Sequence, residues 1–170
     1  MRWVLWQERG LISKTISWFG GGAYCHIDVV TRDGWLRGSR SDHKGRKPPG
    51  YFDRPPDYLD GLWVRKDTYT LDVPPAVERR YWDFSRACLG DAYDKRGILG
   101  LAIGARNWRE PGQWFCSEQV AADWEYSGIT PEMFQGANRV DPGDCGFILC
   151  TLRASRDSVF PITEKDTENS

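Results

Sequence analysis

Trp3-Val4-Leu5-Trp6 is an unbroken apolar run closed by Gln7-Glu8-Arg9, the length of one short strand. After a turn at Gly10, Leu11, Ile12, Ile16, Trp18 and Phe19 make an amphipathic piece that stops at Gly20-Gly21-Gly22. Tyr24-Cys25-His26-Ile27-Asp28-Val29-Val30 then alternates with the period of a strand. Regular alternation puts Tyr24, His26 and Asp28 on one face and Cys25, Ile27 and Val29 on the other. Asp33-Gly34 is a hairpin-turn signal, with Trp35 to Arg40 as the returning strand. Ser41 to Asp57 is polar and carries two Pro-Pro pairs, so it reads as a long loop able to wall a cleft. Leu62-Trp63-Val64 predicts another strand.

From Val73 onward the period changes. Pro74 and Pro75 open a helix with Val77, Tyr81, Phe84 and Cys88 on one face, Asp72 as a cap and Gly90 as a stop. Asp91 to Asp94 reads as a turn, Ile98 to Ile103 as a second helical piece, and Ala105 to Gly112 as a connector. Val120, Ala121 and Trp124 recur at helical spacing before Gly128, which places Cys116 at or just before the first turn of a helix. Thr130 to Phe134 predicts a short helical turn, Asp141-Pro142-Gly143-Asp144 a turn, and Phe147 to Leu152 a strand or buried run. Ser155 to Ser170 loses periodicity and is expected to be a polar, disordered tail, leaving residues 1–154 as one domain without internal repeats.

Composition narrows the function classes. A chain of 170 residues suffices for one domain, and nine tryptophans, seven tyrosines and seven phenylalanines furnish its core. The net charge of -1 gives no global attraction for nucleic acid or anionic lipid, so no nucleic-acid partner is expected. Five cysteines (Cys25, Cys88, Cys116, Cys145 and Cys150) form no closely spaced metal-binding knuckles, and free thiols in a reducing compartment are the simpler account. The opening apolar run is too short for a signal peptide or a membrane span. A cytoplasmic protein without cofactor or metal is the expectation. Asp91, Asp94, Asp141 and Asp144 lack the spacing of a calcium loop and read as caps and turn residues.

Trp114-Phe115-Cys116-Ser117-Glu118 is the stretch with chemistry in it. Unpaired N–H groups and the positive end of a helix favour a thiolate over a thiol, which suits a nucleophile. A nucleophilic cysteine needs a base and a group that orients the base. His26 and His43 are the two histidines, and His26 is preferred because Asp28 shares its strand face. Asp28 is the first choice of orienting group, although parallel neighbours on one strand need not meet, and Ser39, Asp42 and His43 are alternatives. Cys25 points to the opposite face and reads as packing, as does Cys88 at the end of an apolar helix face.

The two segments Tyr24-Cys25-His26-Ile27-Asp28 and Trp114-Phe115-Cys116-Ser117-Glu118 resemble the signatures of the circularly permuted papain-like enzymes of the NlpC-type superfamily, most of all YiiX-like and phage-borne members. Histidine precedes cysteine, as in the permuted branch that includes lecithin retinol acyltransferase. Gly90-Asp91-Ala92-Tyr93 is similar to an element that precedes Cys-Ser in that superfamily, while Asp28 stands where relatives often carry glutamate and Cys25 where they carry a small residue. The resemblance implies an α+β, permuted papain-like fold with a small antiparallel sheet packed against helices. It implies Cys116 as nucleophile, His26 as base and Tyr93 near the oxyanion or substrate. The expected activity is that of an amidase or peptidase working through an acyl-enzyme on a peptide, cell-wall peptide or acyl substrate, in the cytoplasm or, for a phage-borne protein, the host cytoplasm. The alternative is an inactive binding or virion-associated structural module, and a metal enzyme ranks third.

Overall fold

A computed structural model describes residues 1–9, 23–97, 112–130 and 140–159. The architecture is α+β. Strand β1 (Arg2–Glu8) lies inside a six-stranded antiparallel sheet with β2 (His26–Val30), β3 (Leu36–Arg40), β4 (Gly50–Arg54), β5 (Trp63–Thr70) and β8 (Ser155–Val159), in the order β4-β3-β2-β1-β5-β8. Two short strands, β6 (Ala92–Tyr93) and β7 (Gln113–Trp114), pair in parallel. Three helices complete the described fold: α1 (Pro75–Ala87), α2 (Cys116–Ser127) and α3 (Pro142–Thr151).

The central strand explains the layering. Trp3 and Leu5 pair with Val29 and Ile27 across β2 and join the larger core with Tyr69, Tyr81, Val120, Trp124 and Leu149 from β5 and the three helices. Val4 and Trp6 face the other way, into a smaller cluster with Leu36 and Leu59. One run of four apolar residues therefore serves both faces, the pattern of a strand covered on both sides. Helix α2 packs on α1, β2 and β3, and ends at Gly128, whose φ of 83° allows its N–H to reach the Trp124 carbonyl at 3.0 Å.

Several expectations change. The Ser41–Asp57 stretch contains a 3-10 turn (Lys44–Arg46) and the edge strand β4, which pairs with β3 from Leu36↔Arg54 to Arg40↔Gly50. β4 lies at the sheet edge, with Tyr51 turned into the larger core, and Arg54 is buried with its guanidinium donating to the Gly38 carbonyl at 2.7 Å and the Gly50 carbonyl at 3.2 Å. The segment read as a turn and strand from Asp141 is helix α3. Asp141 and Asp144 cap it reciprocally, at 2.9 and 3.1 Å, and Pro142 occupies the first turn. Ser155–Val159 extends the sheet along β5 instead of starting a disordered tail. Helix α1 has Pro74 as its N-cap residue, not Asp72. Ala92–Tyr93 is a strand where a turn was expected. Tyr24 precedes β2 and belongs to the larger core with Ile27 and Val29, so it does not share the His26 face. The expected pieces Leu11–Phe19 and Ile98–Ile103, the connector up to residue 111 and most of Thr130–Phe134 lie outside the described residues. Among the described residues, no helix is long and apolar enough to cross a membrane.

Candidate active site

Two elements converge at the candidate site. β2 begins with His26, and α2 begins with Cys116; each residue is 4% exposed. Phe115 is the N-cap residue of α2, and its N–H is accepted by the Glu118 carboxylate at 3.4 Å. The N–H groups of the first turn have no partner within the helix, so the thiol sits where donors and the helix dipole favour negative charge.

Cys116 lies close enough to His26 to raise the histidine's pKa. His26 Nε2 lies 2.9 Å from Asp28 Oδ1 and 3.0 Å from the Tyr58 hydroxyl. The Tyr58 hydroxyl donates to Asp28 Oδ2 at 2.7 Å, and Trp6 Nε1 donates to the same oxygen at 3.0 Å. Because Tyr58 donates to Asp28, it accepts from Nε2–H, and that proton is shared between Asp28 and Tyr58. Nε2 being engaged, Nδ1 is the ring nitrogen left for Cys116.

Burial is the largest single influence and pulls the His26 pKa down, but the Asp28 charge, the Asp28 hydrogen bond and the nearby Cys116 together outweigh it and bring the pKa to about 9. Asp28 is 0% exposed, and burial pushes its pKa up; the charge and hydrogen bond of His26 and the Tyr58 donor reverse this and hold it below the usual carboxylate range. The pair is thus ionised at neutral pH, with imidazolium next to the thiol.

Behind this pair lies a second ionic layer. Arg40 forms a fork on Glu8, at 2.7 and 3.1 Å, and bonds Asp42 at 2.9 and 3.0 Å, while Lys44 reaches Glu8 at 2.9 Å. Arg40 also stands 5.5 Å from the centre of the Tyr58 ring. Its charge opposes protonation of His26, and Glu8 compensates.

The other predicted residues occupy defined places. Asp28, the first choice of orienting group, meets the histidine although the two share a strand, and the Tyr58 hydroxyl bonds both. Ser39 donates to the Trp114 carbonyl at 2.5 Å, which anchors the segment leading into Cys116. Asp42 is held by Arg40 and Lys44, which keep its carboxyl well below the usual range against burial. His43 is exposed at the start of the 3-10 turn. Tyr93 pairs with Trp114 across β6 and β7; burial first, then the neighbouring Cys116 charge, pushes its hydroxyl pKa well above normal. Cys145 is also near Cys116 electrostatically and fully buried, with its pKa raised by burial.

Tyr58, Trp6, Glu8 and Arg40 escaped the sequence reading. Nothing in the proline-rich context of Tyr58 assigns it to the histidine. Gly38 did carry a signal: a glycine inside a strand marks a close approach, and a methyl group there would overlap Asp28 Oδ1.

No family model and no curated protein matches this chain. A solved structure does: the metalloprotein YiiX from Escherichia coli O157:H7, DUF1105, is similar over 74% of this chain at 14% identity, with a TM-score of 0.52. The match covers 64% of the YiiX chain, so this chain spans less than two thirds of its neighbour and shares its fold with a YiiX-like protein.

Proposed function

We propose that the chain is a cysteine hydrolase with a permuted papain-like fold that cleaves an amide through an acyl-enzyme, as an amidase or peptidase. One observation carries this reading: His26, 2.9 Å from the buried Asp28, lies close enough to the helix-start Cys116 for the thiol to act on its pKa. In this reading His26 carries a proton before substrate arrives, and that charge together with the first-turn N–H groups of α2 favours the Cys116 thiolate as the nucleophile. Its sulfur forms a bond to the carbonyl carbon while the carbonyl π electrons move to oxygen. The Cys116 backbone N–H and the Tyr93 hydroxyl, kept protonated by its raised pKa, are the proposed donors to that oxyanion. Collapse breaks the C–N bond, and His26 gives its proton to the leaving amine. Neutral His26 then takes a proton from water as the water oxygen attacks the thioester; C–S cleavage releases the acid and restores the pair.

Peptides, cell-wall peptides and acyl groups are the proposed substrate classes, and the cytoplasm, of a host if the protein is phage-borne, is the proposed location. Mass spectrometry of protein incubated with 4-nitrophenyl acetate tests the acyl-enzyme: acetyl on Cys116 that disappears over time supports the reading, and a parent protein that never carries it opposes it.

YiiX is described as a metalloprotein, but the residues here do not fit a metal. No group of three His, Cys, Asp or Glu side chains is gathered for a metal among the described residues, and His26 Nε2 is already committed to Asp28 and Tyr58. A second reading, a binding or virion-associated structural module that keeps the same shell, is favoured by the near-complete burial of Cys116 and His26. Unreactive Cys116 in a folded protein distinguishes it.

A further inference from the structure

At the far end of β2 from His26, the hairpin turn and one face of α1 enclose a cavity of about 240 Å³. Along the strand this is about 16 Å from the Cys116–His26 pair, at ~3.3 Å per residue. Arg79, Trp82 and Arg86 recur at helical spacing on α1, facing Arg32 and Asp33 of the turn and Arg37 of β3. The lining carries four guanidinium groups against one carboxylate.

These arginines are not equivalent. Arg37 is fixed, with Asp53 bound through two nitrogens at 2.6 and 2.9 Å, Ser85 at 3.2 Å, and its guanidinium carbon 5.6 Å from the Trp82 ring centre. Arg32 pairs with Glu78 and Arg86 with Asp83 in ion pairs open to water, which yield readily to a stronger anion. Arg79 forms no ion pair or side-chain hydrogen bond among the described residues. A concave site thus combines one rigid guanidinium, two weakly held ones and one with no described partner.

We propose that this cavity binds the phosphoryl group of a small phosphorylated molecule. A phosphomonoester carries roughly -1.5 to -2 charges at neutral pH and three acceptor oxygens, which match several guanidinium forks better than a monocarboxylate does. The pocket is smaller than the ~300–1,000 Å³ of sites for drug-sized ligands and open on its solvent side, which suits a phosphoryl group seated within it and the rest of the ligand outside. Trp82 supplies an apolar wall. The inference is independent of Cys116 chemistry.

Calorimetric titration with inorganic phosphate and with glycerol phosphate tests it, using the parent and the variants Arg79→Ala, Arg86→Ala and their combination. Both side chains are exposed on α1, and circular dichroism confirms that the variants fold. Saturable binding with one site is expected, weaker by about tenfold in each single variant and lost in the double, in line with the strength of charge-assisted hydrogen bonds. Equal Cys116 alkylation in all four proteins separates this result from the hydrolase reading. Absence of saturable binding, equal affinity in the double variant, or attachment to phosphatidylserine vesicles without binding of either soluble phosphate overturns the proposal.

Discussion

Gly38 on β3 lies against the Asp28 carboxylate so closely that no side chain fits between them. The carboxylate can bond His26 only because β3 is bare at that point. In Gly38→Ala the methyl group displaces Asp28 Oδ1, with an expected stability loss of about 1–3 kcal/mol from overpacking. Cys116 alkylation falls with it, by about tenfold or more, while a folded far-UV spectrum is retained. Urea denaturation and peptide-resolved labelling read the two effects separately.

The pH profile of activity follows from His26. Its folded pKa of about 9 exceeds the ordinary 6.5, so the imidazolium contributes stability that is complete below about 6.5 and is lost as pH rises through 9. Amide cleavage needs that proton for the leaving amine, and its upper limb is expected near pH 9. Asp28→Asn removes the charge that opposes burial, moving the limb to lower pH and reducing turnover by about 10²–10⁴-fold. A pH–rate comparison of the two proteins checks both.

Tyr58 holds both partners of that pair. Tyr58→Phe removes a hydroxyl that bonds His26 Nε2 at 3.0 Å and Asp28 Oδ2 at 2.7 Å. The expected cost is about 1–2 kcal/mol of stability, with a looser imidazole and slower Cys116 alkylation. Thermal melts and labelling rates measure these, and an unchanged labelling rate would assign Tyr58 a packing role alone.

Asp123 predicts the pH dependence of the core. It is 0% exposed, and burial raises its pKa to about 8 against hydrogen bonds from Gln119, Tyr81 and Tyr51. A folded pKa above the unfolded one means stability is highest below about 4 and declines until about 8. Asp123→Asn is expected to remove that decline and to melt several degrees higher at pH 8, with little difference at pH 4. Melting curves across this range decide it.

What the sequence revealed was governed by how local the physics is. The β1 apolar run, the Asp33-Gly34 hairpin, the proline-opened α1 and the Cys116 helix start all announce themselves through nearest neighbours, and the His26–Asp28 spacing exposed half of the candidate site. β4 stayed hidden because Tyr51-Phe52 is too short an apolar piece within a polar, proline-rich stretch to signal a strand, and its strand character comes from pairing with β3. α3 was hidden because Asp-Pro-Gly-Asp has turn composition, and only the reciprocal Asp141–Asp144 bonds make it a cap. Tyr58 reaches Asp28 across 30 positions of sequence, a contact that no periodicity encodes.

The assembled Cys116–His26–Asp28 unit is tested most directly by the rate of iodoacetamide labelling at each cysteine at pH 7, in the parent and in His26→Ala. Cys150, the exposed thiol among the five free cysteines, is an internal reference for ordinary reactivity. The account predicts that Cys116 in the parent reacts about tenfold faster than Cys150, and that His26→Ala, still folded, abolishes the difference. A parent in which Cys150 is labelled while Cys116 remains untouched, or a His26→Ala variant that labels at the parental rate, would contradict it.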